Sequence, residues 1–160
     1  YYNAPIYFTT AQLDALNNFS TTNMQIFFSS PLVLDLDGDG IETQSLGAGV
    51  RFDLDADGKA EAAGWVAGGD GLLVRDLNGD GVIESGAELF GTATQLADGS
   101  KAKDGFAALA ALDSNADGKV DRGDMAFDSL QVWVDSDSDG QTDQGELKSL
   151  SELGISGVSV

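Results

Sequence analysis

The chain has 160 residues, 42% of them hydrophobic, with 27 Asp and Glu against 8 Lys and Arg and a formal net charge of −19. That length fits one domain, or one domain with an arm, and the charge opposes any encounter with nucleic acid or an anionic membrane surface. With no Cys and no His, thiol nucleophiles, disulfides, Ser–His–Asp triads and ordinary zinc sites are excluded, and the oxygen ligands that remain suit Ca²⁺ or Mg²⁺.

Residues 1–30 read as an arm. Tyr1 to Thr10 has no basic start, so it is not expected to be a secretory signal; it has the look of a piece of a longer protein. Residues 9–16, Thr-Thr-Ala-Gln-Leu-Asp-Ala-Leu, predict a short helix with a Thr cap. Residues 19–27 echo that Thr-Thr-x-Gln pattern as a degenerate internal repeat. No run in the chain reaches the roughly 18 apolar residues of a membrane span, and the lack of Cys is compatible with an extracellular life without disulfides.

Residues 31–160 read as one calcium-binding module. A short apolar strand, Pro31-Leu-Val-Leu34, feeds a first acidic cluster of Asp35, Asp37 and Asp39, with Gly40. Val50-Arg-Phe52 feeds a second, Asp53, Asp55 and Asp57, with Gly58. Residues 65–66 and 72–74 bracket the turn Gly68-Gly-Asp-Gly71 and predict a hairpin. It leads to a third cluster, Asp76, Asn78 and Asp80, with Gly81. Residues 104–112 predict a capped helix entering the fourth, Asp113, Asn115 and Asp117, with Gly118. A helix is predicted over 124–130 and a strand over 131–134. The strand enters the fifth cluster, Asp135, Asp137 and Asp139, with Gly140. A last helix is predicted over 146–153, closed by Gly154.

All five clusters read D-x-[DN]-x-D-G, the first half of an EF-hand-type calcium loop. Oxygens at positions 1, 3 and 5 converge when the backbone wraps an ion, and Gly at 6 permits the sharp turn. A carbonyl at 7, a ligand or water at 9 and an acid at 12 close the shell. Carbonyls of Val82, Lys119 and Gln141 fall at position 7. Loop five closes on Glu146 and loop four on Asp124, with Asp143 and Asp121 at their ninth positions. Loop three has Glu84 at position 9 and closes one residue late, on Glu88. Loops one and two carry Leu46 and Gly64 at position 12, so they must borrow a carboxylate, use waters or stay weak; Glu42, Glu61 and Asp70 are the candidate donors. Of the 27 acids, 21 lie in these loops, and carboxylates packed this closely repel one another strongly. Three to five Ca²⁺ would bring −19 to between −13 and −9. The expected fold is α+β, a small sheet and short helices laced by EF-hand-like loops. Loop four is the one with helices on both sides.

The words between the loops resemble a known module. They include Pro31-Leu-Val-Leu-Asp-Leu-Asp-Gly-Asp-Gly-Ile-Glu-Thr43, Asp70-Gly-Leu-Leu-Val-Arg75, Gly86-Ala-Glu-Leu-Phe-Gly91, Gly105-Phe-Ala-Ala-Leu-Ala-Ala-Leu-Asp113, Leu130-Gln-Val-Trp133 and Leu150-Ser-Glu-Leu-Gly-Ile155. In this order they resemble the calcium-binding module of large RTX-type adhesins and toxins exported by type I secretion in Gram-negative bacteria. More narrowly, they are similar to the self-processing module of iron-regulated RTX proteins. The resemblance covers roughly residues 31–156. It implies a module folded by calcium, secreted or at the cell surface, with neighbouring domains of the exoprotein and a cell-surface or protein ligand as partners. In self-processing relatives the bond between an Asp and the Pro at the place of Pro31 is cut. The Asp carboxylate attacks its own backbone carbonyl, and the released carboxyl can be joined to a lysine amine. Here residue 30 is Ser and no Asp-Pro occurs, so no autocatalysis is expected and no catalytic residue is named.

The leading expectation is therefore a calcium-folded structural module. The alternatives are an active self-processing and cross-linking module, and a dockerin-like partner-binding module. Loops four and five start 22 residues apart, as in the dockerin pattern, but Val132-Trp-Val134 breaks its helix-after-loop plan. Trp65 and Trp133 are expected to be core aromatics.

Overall fold

In a computed structural model the described residues are 31–160. The arm and its predicted repeat lie outside them. The elements in chain order are β1 (Val33–Asp35), β2 (Thr43–Gln44), β3 (Arg51–Phe52), β4 (Glu61–Ala62), β5 (Trp65–Val66), β6 (Asp70–Val74), α1 (Gly105–Ala110), β7 (Lys119–Asp121), β8 (Gln131–Trp133), β9 (Leu147–Ser149) and β10 (Gly157–Ser159).

The expected α+β fold with EF-hand loops is not what forms. The chain is mostly sheet, and among the described residues α-helix is confined to α1. Asp104 caps α1 as predicted, its carboxylate accepting the Ala107 N–H at 2.7 Å. The helix predicted over 124–130 shrinks to one 3-10 turn, Phe127–Ser129. The helix predicted over 146–153 is replaced by β9 and a turn. Leu147, Lys148 and Ser149 pair with Trp133, Val132 and Gln131 at the edge of the sheet. The Glu, Leu and Lys of this segment favour helix, but eight residues are too few for a helix to hold by itself, and pairing with a free sheet edge outweighs that preference. The Glu152 carboxylate then holds the turn by accepting the Ser149 N–H and Oγ–H, each at 2.7 Å. Hence loop four has a helix on one side only. The hairpin predicted around Gly68–Gly71 also fails to pair with itself. β5 pairs β2, while β6 pairs β1 and β8.

The main sheet is antiparallel, in the order β1-β6-β8-β9. Its centre is β6, whose five residues are all buried. A strand covered on both faces can be apolar throughout, and Leu72-Leu-Val74 meets that condition. Alternation sends Leu72, Val74 and Trp133 to one core, with Phe52, Trp65, Ile83 and Leu89. Leu73 and Val132 face a second core, with Phe90, Leu109, Val120 and Leu150. The first core centres on an aromatic triad. Phe52 lies 5.1 Å from Trp65 and 5.7 Å from Trp133, and the two indoles meet edge-on at 5.5 Å. Strands deliver the chain into loops one, two, three and five, and α1 delivers it into loop four. The loops thus hang from the ends of a rigid two-core sheet.

Candidate metal centres

Each loop is wound around its first carboxylate. The Gly N–H at position 6 donates to the Asp at position 1 in all five. The pairs are Gly40 to Asp35 (3.1 Å), Gly58 to Asp53 (2.8 Å), Gly81 to Asp76 (2.9 Å), Gly118 to Asp113 (2.9 Å) and Gly140 to Asp135 (2.8 Å). These glycines have φ between 77° and 109°, in the left-handed region. Position 4 is left-handed too, even where it is not Gly: Ala56, Ala116 and Ser138 sit at φ 56–58°. The carboxylate at position 5 accepts the N–H at position 7 from Lys59, Val82, Lys119 and Gln141, at 2.7–3.1 Å.

The closing acids of loops three, four and five share one geometry. Glu88 accepts the N–H of Leu77 (3.1 Å) and of Glu84 (2.8 Å). Asp124 accepts those of Ser114 (2.7 Å) and Asp121 (3.0 Å). Glu146 accepts those of Ser136 (2.9 Å) and Asp143 (3.0 Å). In every case these are loop positions 2 and 9, so the acid staples the loop across its mouth. All three acids are only 4–6% exposed. Backbone N–H donation, led by Asp121, holds the Asp124 carboxyl below its usual range despite burial. Burial pushes Glu146 up, but the N–H groups of Asp143 and Ser136 outweigh it and the net shift is downward.

Loop five is the most deeply built. Asp135 is fully buried, and Trp65 Nε1 donates to its Oδ2 at 2.6 Å. Trp133 Nε1 donates to Glu146 Oε2 at 3.2 Å. Both indoles of the chain therefore grip carboxylates at positions 1 and 12 of one loop. Burial raises the Asp135 carboxyl above its ordinary value in spite of those donors. The sequence suggested that the tryptophans were core aromatics, which they are. It did not expose their grip on loop five, although a buried indole N–H requires some acceptor.

Among the described residues, three sets of carboxylate oxygens lie within 4.8 Å of one another: Asp35, Asp37 and Asp39; Asp53, Asp55, Asp57 and Glu61; Asp135, Asp137 and Glu146. Loops three and four carry Asn78 and Asn115 at position 3, so their donor sets mix amide and carboxylate oxygen. In loop one the Asp39 carboxyl is pushed up, first by a hydrogen bond shared with Asp37 and then by the negative charges of Asp37, Glu42 and Asp35. Glu42, named from sequence as a ligand, is exposed. Its backbone N–H donates to Asp70 Oδ2 at 2.7 Å. Glu61 joins the loop-two set at position 9. Cationic partners are scarce, and the ion pairs among the described residues are Lys59–Asp57 and Lys103–Asp104, both at the surface. An all-oxygen donor set of this density fits a hard divalent cation.

Over 132 residues, 81% of the chain, it is 55% identical to the iron-regulated protein FrpA of Neisseria meningitidis serogroup C. The chain spans 12% of that relative's length. The relation to the self-processing module expected from the sequence therefore holds. The SPM domain matches residues 32–160, almost the whole of the described structure, and the chain belongs to that family.

Proposed function

We propose that this chain is a calcium-folded structural module of a large RTX-like exoprotein, assembling when it meets calcium outside a Gram-negative cell. The observation that carries this reading is the shared staple of loops three, four and five. Buried acids fix the loop mouths, and the crowded loop carboxylates, at positions 1 and 5 and in loops one, two and five also at 3, have almost no cationic partners. Sites with dissociation constants of about 10⁻⁴–10⁻³ M would stay empty in a cytosol and fill outside. Each site filled at ten times its dissociation constant adds about 1.4 kcal/mol. Three such sites add about 4 kcal/mol and raise Tm by on the order of 10 °C. Thermal melts followed by circular dichroism, in EDTA and in millimolar Ca²⁺, test this. An identical Tm in both would overturn it.

The SPM match favours a second role, self-processing, and the residue before Pro31 decides between them. The residue after Pro31 is held on both sides: Leu32 N–H donates to the Phe90 carbonyl at 2.9 Å, and Leu73 N–H to the Leu32 carbonyl at 2.9 Å. The acid is missing. Ser30 carries a hydroxyl with no His or Cys in the chain to activate it. The chain as it stands stays whole in calcium, and Ser30→Asp gains calcium-dependent cutting before Pro31. Gel analysis over a day reads both. A fragment starting at Pro31 from the unmodified chain would promote the self-processing role over the structural one.

A further inference from the structure

Loop one has no acid at position 12, where Leu46 is 63% exposed. The structure points to where its closing ligand comes from. Asp70 is the first residue of β6 and lies directly opposite Asp35 in the β1–β6 register. Cross-strand partners stand with their Cβ atoms about 5 Å apart, and like charges there repel. Asp70 is nevertheless 2% exposed. Its Oδ2 accepts the Glu42 N–H, at position 8 of loop one. Its Oδ1 is buried and has no hydrogen-bond partner, alone in that respect among the described side chains. A buried carboxylate oxygen without a partner is costly, and neither ion pair of the described residues involves Asp70.

The turn before Asp70 is pressed against the same loop. A Cβ added to Gly69, at φ +125°, would stand 2.9 Å from Asp37 Oδ2. Ala67 N–H donates to the Glu42 carbonyl at 3.0 Å. In loops three to five the closing acid comes from the loop's own C-terminal end and uses both oxygens on N–H groups. Asp70 comes from 28 residues beyond Glu42 and uses one, so its second oxygen is left unpaired on the strand opposite Asp35, outside the 4.8 Å set of Asp35, Asp37 and Asp39 that a cation would have to draw it into.

We propose that Asp70 Oδ1 is a direct ligand of a divalent cation held by Asp35, Asp37 and Asp39, making loop one a composite site shared between β1 and β6. This rests on the calcium reading above and adds a ligand that the loop pattern does not contain. A bridging cation removes the Asp35–Asp70 repulsion and satisfies the orphaned oxygen in one step. It also bolts the strand that follows Pro31 to the central strand of the sheet.

Two measurements on the full chain test this. In crystals of the unmodified protein grown in calcium chloride, anomalous scattering should place an ion about 2.3–2.6 Å from Asp70 Oδ1. Ions in loops three to five, with none bonded to Asp70, would overturn this proposal alone. Ions in no loop would overturn the calcium reading with it. In native mass spectrometry Asp70→Asn, which keeps an acceptor for the Glu42 N–H, should hold one calcium fewer than the unmodified chain. Asp70→Glu should restore the count, which a purely structural role for Asp70 would not require. A folded Asp70→Asn variant with an unchanged count would sink the assignment.

Discussion

Glu146 takes four donors at once: the Trp133 indole, the Ser136 N–H and Oγ–H, and the Asp143 N–H. An amide in its place turns an NH₂ group toward some of those donors and leaves buried groups unpaired, at about 1–3 kcal/mol. Asp53 has its donors in an exposed loop, and water replaces them when it is removed. Glu146→Gln is therefore expected to lower stability by about 2 kcal/mol or more, and Asp53→Ala by about 1 kcal/mol or less. Urea midpoints in calcium give the ranking, and the reverse order would refute the idea that the staple acid is the keystone of a loop. The first, third and fifth positions of every loop were legible in the sequence because they lie within five residues of one another. Asp70 could be named only as one of three candidate donors for loops one and two together, because its place opposite Asp35 is created by strand pairing.

At the scale of elements, the strands entering the loops were readable, since short β-branched and aromatic runs such as Gln131-Val-Trp-Val134 lead directly to an Asp. What misled was residues 146–153. Leu147, Leu150 and Leu153 recur at helical spacing, yet the free edge of β8 takes the first of them as strand. Helical spacing over eight residues is a weak signal beside an unpaired sheet edge. The docking of loop three on loop two shows a constraint of another kind. Gly86 N–H donates to the Asp53 carbonyl at 2.7 Å. A Cβ at Gly86 would fall 1.9 Å from the Leu54 carbonyl oxygen, a backbone atom with little room to retreat. Gly86→Ala is expected to cost about 3 kcal/mol by forcing the two loops apart. Equilibrium unfolding checks this, and a loss under about 0.5 kcal/mol, the level of an ordinary surface change, would show that the loops are not locked together.

Across the whole molecule, local and distant contacts are unevenly divided. The bonds that wind each loop join residues two to five positions apart, and each staple in loops three to five reaches only three to eleven. The sheet joins Val33 to Leu72 and Leu72 to Trp133, gaps of 39 and 61 residues. Pairing over such gaps is slow, because chain closure must be achieved before any contact rewards it. The consequence concerns speed. A cation captured by a loop acts on a segment that can close early, before the strands have found one another, and it shortens the search that remains. Calcium should then accelerate refolding more than it slows unfolding, the signature of contacts already made at the barrier. Stopped-flow chevrons at several calcium concentrations would display this as a shift of the refolding limb. If only the unfolding limb moved, the ions would be arriving after the sheet, and the loops would be locks on a finished fold instead of the points from which it grows.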